Sequence, residues 1–224
     1  MNNLILFSFL GVIALFSITL IFQLNMFKIT QKRKFNFKNE LPFELTEGTS
    51  RRFLKLQYLF HGLISLLLLV YGFAFAFKDG NNLFFYDIML LSGLTVAAFT
   101  YFLVFFLKID NVKFHIIVLL LYVFALFTSF LALGLNLHFS PFSKINENSF
   151  TYIFIALGYV VAGVIIGLIL NPKLAKWPYM DKITQQDETV IIMRPKTFIL
   201  ALYEWIFVFL HLAFLVISLL SLFL

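Results

Sequence analysis

Six long apolar runs, at 4–24, 53–77, 83–107, 114–137, 150–170 and 198–224, leave this chain of 224 residues little choice of solvent. A helix needs roughly 20 predominantly apolar residues to cross about 30 Å of hydrocarbon, and each run meets that length. The runs predict an all-α, polytopic integral membrane bundle of six transmembrane helices, a single domain over 1–224. Hydrophobic residues make up 62% of the chain and charged residues 12%, so no stretch remains to build a separate soluble core.

The cations orient the bundle. Of the 17 Lys and Arg, Lys55 stands at the leading edge of the second run, and all the others but Lys78 and Lys144 lie in the gaps after the first, third and fifth runs. Cytoplasmic loops retain Lys and Arg, so 25–52, 108–113 and 171–197 are expected inside, with the N-terminus and C-terminus both non-cytoplasmic. The net charge of +6 then implies anionic headgroups of the lipid bilayer, not nucleic acid, as its partner. Met1-Asn2-Asn3 carries no basic side chain and the positive charge follows the first run, which reads as a retained span and not a cleaved signal. The 32 Phe, with abundant Ile, Lys and Asn, suit an AT-rich genome, and a multi-pass protein of a bacterial cytoplasmic (inner) membrane is expected. The absence of Cys removes disulfides, thiolate catalysis and Cys-ligated metals.

Two hydrophilic segments exceed the length of a turn. The first interleaves Lys32, Arg33 and Lys34 with Phe35 and Phe37, and continues through Glu40, Glu44 and Glu47 to Arg51 and Arg52. These five cations are candidate contacts for an anionic lipid or an acidic partner. The plainer reading is an interfacial loop, with Phe rings in the headgroup layer and Lys in water. The second segment places Trp177 as an interface anchor, and its run Thr189–Met193 suits either a short strand or a surface-lying stretch.

Within the spans, polar residues are few enough to be informative. Thr197, Glu204, His211 and Ser218 recur every seven residues on span six, and Gln57, His61 and Ser65 every four on span two, so each set shares one face. Intramembrane ionisable groups are costly unless paired or wetted. Glu204, His211, His61, Gln57 and Ser218 therefore mark a polar or proton pathway between spans two and six, with Glu204 and His61 as expected partners. The alternative is that Glu204 anchors its helix to Lys196 or Arg194. On span five, Gly163 and Gly167 form a GxxxG that is expected to pack against another span, or else to support a homodimer.

Motifs for nucleotide, zinc or acyl-transfer chemistry are absent, so no catalytic residue is assigned and enzymatic activity is not expected. His115 and His138 lie at the ends of span four, and His61 and His211 differ by roughly 8 Å in depth at 1.5 Å per residue, which argues against a haem. No metal and no cofactor are expected. The reading is a non-enzymatic membrane transport component, or a membrane-embedded subunit that associates with other membrane subunits or with itself. One alternative is a membrane enzyme acting on an anionic lipid at the cytoplasmic interface, with a cavity lined by His61, Glu204, Arg51 and Arg52.

A second alternative comes from Pro42-Phe43-Glu44, Arg52-Phe53 and Tyr58-Leu59 ahead of span two. This pattern loosely resembles the small three-span A subunit of respiratory NADH–quinone oxidoreductase, over about the first half of the chain. The resemblance implies a respiratory-complex membrane subunit with an acidic pair inside span two. Leu66–Val70 is wholly aliphatic there, and the last three spans have no counterpart.

Overall fold

Backbone N–H and C=O groups in hydrocarbon have no water to bond, so a lipid-solvated chain closes its hydrogen bonds within helices. The computed structural model describes residues 2–47, 49–78, 85–107, 112–139, 149–170, 181–184, 190–193 and 197–223. It contains α1 (Asn2–Gln31), α2 (Arg51–Ala76), α3 (Phe85–Phe106), α4 (Val112–Phe139), α5 (Ser149–Ile169) and α6 (Ile199–Phe223). All six are long and apolar enough to cross a membrane, and they define a multi-pass membrane protein. Arg194, Lys196 and Trp177 lie outside the described residues.

Two elements depart from α-helix. A 3₁₀ turn spans Pro42–Thr46, and β1 (Asp181–Thr184) pairs antiparallel with β2 (Val190–Met193), Asp181 opposite Met193 and Thr184 opposite Val190. The β-branched run near Met193 is thus a strand. α1 continues to Gln31, beyond the expected boundary at 24, and Lys28 sits in its last turn. Lys32, at φ 54°, then turns the chain in the left-handed conformation that commonly ends helices. Its place in the fold is backbone punctuation.

Consecutive helices pack against one another from α1 to α5, and α6 closes against α1, α3, α4 and α5. Lipid offers no hydrophobic drive for helix pairing, so close approach has to come from small residues and hydrogen bonds. Gly158 supplies it between α5 and α4: a Cβ there would stand 2.9 Å from Gly134 N and 3.0 Å from Phe130 O. A Cβ added at Gly163 or Gly167 would meet nothing within 4 Å among the described residues, so the expected internal packing of this GxxxG is corrected. The face that α5 turns to α4 is the one carrying Gly158 and Ala162, and the helix rotates Gly163 and Gly167 outward.

Residues 32–47 do not lie open as an interfacial loop would. They fold back over the end of the bundle as a cap, with Leu41, Phe43 and Leu45 buried. Glu44 Oε2 accepts the Leu41 N–H at 2.6 Å and Glu40 Oε2 accepts the Asn36 N–H at 2.5 Å, so two acidic side chains hold the turns locally. Phe35 and Phe37 stand edge-on to Trp205 at 5.8 and 4.7 Å, Trp205 Nε1 donates to Glu40 O at 2.9 Å, and Phe198 N donates to Lys38 O at 2.8 Å. The rings expected among lipid headgroups are instead the contact between the cap and α6.

Replacing Gly158 by Leu forces backbone apart and should lower the melting temperature in detergent by several degrees, a loss of about 1–3 kcal/mol. Gly163→Leu should melt within about a degree of wild type. Equal losses for the two would contradict the orientation of α5.

Candidate functional site

Glu204 lies on α6, one residue before the Trp205 that holds the cap, and its side chain has no exposure. Its partner is His115 on α4: His115 Nε2 and Glu204 Oε1 are 2.6 Å apart. The other ring nitrogen, Nδ1, lies 3.0 Å from Leu107 O. A carbonyl only accepts, so Nδ1 carries a proton and donates it. One further proton then sits between Nε2 and Oε1, and the two side chains titrate as a unit, whichever atom holds it at a given moment. Phe43 of the cap covers the imidazole, ring to ring at 6.0 Å. The partnership expected between Glu204 and His61 is therefore corrected: α4 supplies the imidazole.

The next rung repeats the geometry one step along. Tyr122 of α4 bonds His211 of α6, OH to Nδ1, at 3.0 Å. Both rungs join residues 89 apart in the chain, so α4 and α6 run parallel and in step. On α4 the buried residues with polar groups are His115, Tyr122, Ser129 and Asn136, spaced every seven residues like Glu204, His211 and Ser218 on α6. Seven residues advance about 10 Å along a helix, so the α4 stripe from His115 to Asn136 covers about 30 Å, the thickness of the hydrocarbon. The signal for the missing half of the site was thus present in span four, where the same seven-residue recurrence is carried by Tyr, Ser and Asn as well as His.

α2 and α3 complete the column. His61 Nδ1 bonds Tyr101 OH at 3.1 Å and His61 Nε2 bonds Gln23 Nε2 of α1 at 3.0 Å. The Tyr101 ring lies 5.7 Å from His61 and 6.3 Å from His211, bridging the depth interval between the two imidazoles. Spans two and six meet farther along, where Tyr71 OH approaches Ser218 Oγ at 2.6 Å. Each hydroxyl also has a backbone acceptor on α6, Ser218 Oγ at Phe214 O and Tyr71 OH at Leu215 O, so either can donate to the other. At the far end Asn136 Nδ2 donates to Asp87 Oδ1, and Lys78 Nζ donates to Asn136 Oδ1 at 3.1 Å. Asp87 sits in the first turn of α3, where the helix dipole favours its charge.

The remaining expected residues fall elsewhere. Gln57 is fully buried on α2, one turn before His61. Arg51 and Arg52 are exposed on the first turn of α2, away from the buried His61 and Glu204, so these four do not line one cavity. Arg33 pairs with Glu40, and that hydrogen bond holds its guanidinium above the usual value; it also lies 4.9 Å above the Phe27 ring. Lys34 is exposed. Among the described residues, no three His, Asp or Glu side chains converge as a metal site. No protein-family model, no curated protein and no solved structure matches the chain.

A buried charge pair is costly to break and cheap to replace whole. His115→Leu alone should destabilise the detergent-solubilised protein by about 3–5 kcal/mol, whereas the double change with Glu204→Leu should recover most of the loss. A double variant as unstable as the single one would show that the two side chains do not act on each other.

Proposed function

We propose that the protein is a non-enzymatic transport component that conducts protons or small ions through the column between α4 and α6. The observation that carries this reading is the pair of seven-residue polar stripes on parallel helices, with Glu204, His115, Tyr122 and His211 paired across them. Structural anchoring alone explains one buried pair near an end. Hydrogen bonding alone would account for Tyr122, Ser129 and Ser218, but Glu204, His115 and His211 are ionisable groups, which hydrocarbon disfavours and which packing does not require.

The charge distribution supports a bacterial cytoplasmic membrane as the setting, with the cap inside and both termini outside. Under that orientation Glu204 and His115 lie at the cytoplasmic end, and Lys78, Asn136 and Asp87 at the outer end. The subunit reading draws on a separate observation, the outward face of Gly163 and Gly167, which no described residue covers and which another membrane helix could meet.

Two experiments test these readings. Single Cys residues at Asn36 and Gln186 should resist an impermeant thiol reagent in intact cells, and those at Asn81 and Asn146 should react; the reverse pattern would invert the orientation. Purified protein in liposomes should pass protons or alkali ions faster than protein-free vesicles under an imposed potential. Glu204→Gln and His211→Gln should each slow that flux about tenfold or more at equal helicity, an effect of about 1.4 kcal/mol or more on the barrier. Vesicles no leakier than lipid alone to any of these ions would overturn the transport reading.

A further inference from the structure

We propose that a cavity where α1 ends and α2 begins binds the headgroup of one phospholipid, of the class whose head carries a primary ammonium beside its phosphate. The cavity holds about 470 Å³. Gln31, Thr46, Glu47 and Thr49 form its polar side, and Leu54, Tyr58 and Phe106 its apolar side. None of these residues belongs to α4 or α6, so the site is separate from the column and does not depend on the transport reading. With 26 residues α2 is about 39 Å long, more than the hydrocarbon thickness of about 30 Å, so its ends reach into the headgroup layers.

The polar side calls for a donor. Thr46 Oγ1 donates to Phe43 O at 2.6 Å and Thr49 Oγ1 to Thr46 O at 2.7 Å, so the proton of each hydroxyl is spent on backbone and its oxygen is left to accept. Glu47, exposed between them, adds a carboxylate, which only accepts. An ammonium, all donor, matches this wall. The neighbouring stripe of α2 calls for an anion. Arg51 and Lys55 are exposed and precede the lining residues Leu54 and Tyr58 by three, so the four share one face of the helix. Phosphate suits that pair of cations. A head carrying both charges answers both sides, whereas a purely anionic one would set its charge against Glu47.

The acyl end has a path as well. Tyr58, 43% exposed, stacks on Phe106 at 4.1 Å, and Phe106 lies 4.9 Å from Phe102, one turn deeper on α3. Tyr58 itself stands about 10 Å farther in than Arg51. Three rings thus lead from the cavity into the span, along surface that acyl chains cover. A free zwitterionic solute would fill the polar side and leave this track bare, which commits the site to a lipid.

The test uses delipidated protein in maltoside detergent, titrated with phospholipids of identical chains and followed by native mass spectrometry. Phosphatidylethanolamine should bind at least about tenfold more tightly than phosphatidylcholine, whose quaternary ammonium has no N–H, or phosphatidylglycerol, which has no ammonium. Glu47→Gln with Thr49→Val should erase the preference over phosphatidylcholine, and Arg51→Gln with Lys55→Gln should weaken both lipids about tenfold. Equal binding of the three lipids to the unaltered chain would overturn the headgroup assignment even where a variant fails to fold. Binding of phosphatidylethanolamine that neither double variant changes would overturn the site. Displacement of the lipid by equimolar O-phosphoethanolamine would overturn the role of the aromatic track, since the head alone would then suffice.

Discussion

A carboxyl group sealed from water has to find its proton partner inside the protein, and Glu204 finds it in His115. The rest of the fold follows from keeping that pair together. His115 lies at the start of α4, where its second nitrogen bonds the carbonyl of Leu107 just past the end of α3, so the pair ties three helices at one depth. The cap completes the enclosure, with Phe43 over the imidazole and Trp205 bound to Glu40 on the neighbouring residue of α6. Breaking either attachment would admit water to a pair whose strength depends on its exclusion.

Above the pair, the geometry is a consequence of parallel helices in step. Once His115 and Glu204 set the register, Tyr122 and His211 meet one repeat later without further adjustment. Small residues let the bundle close around these bonds: a Cβ at Gly93 would stand 2.7 Å from Ser129 Oγ, so α3 can lie against the polar face of α4 only because that residue is glycine. Lipid supplies no hydrophobic drive for such contacts, and packing with internal hydrogen bonds has to carry the association.

Much of this was legible in the residues. The six helices were, because the bilayer imposes a length and an apolar composition that no tertiary contact can override. The stripe on α6 was legible because Glu and His stand out against aliphatic neighbours. Its counterpart on α4 was hidden, since Tyr, Ser and Asn at the same spacing pass for ordinary spans, and His115 looked like an end residue. Gln23 carried no pattern of its own, and acquires meaning only beside His61.

The cap shows the same division. Its charge and its acidic run were plain in the chain, yet Phe35 and Phe37 read most plainly as rings in a headgroup layer. Only the folded bundle, by presenting Trp205 at its end, turned them inward. What the sequence by itself determined is the number, length and apolar character of the membrane helices, since these answer to the solvent and need no partner. Which imidazole meets Glu204, which face of α5 is open, and where residues 32–47 lie were decided by tertiary structure, because each depends on the rotation and register of helices brought together from distant parts of the chain.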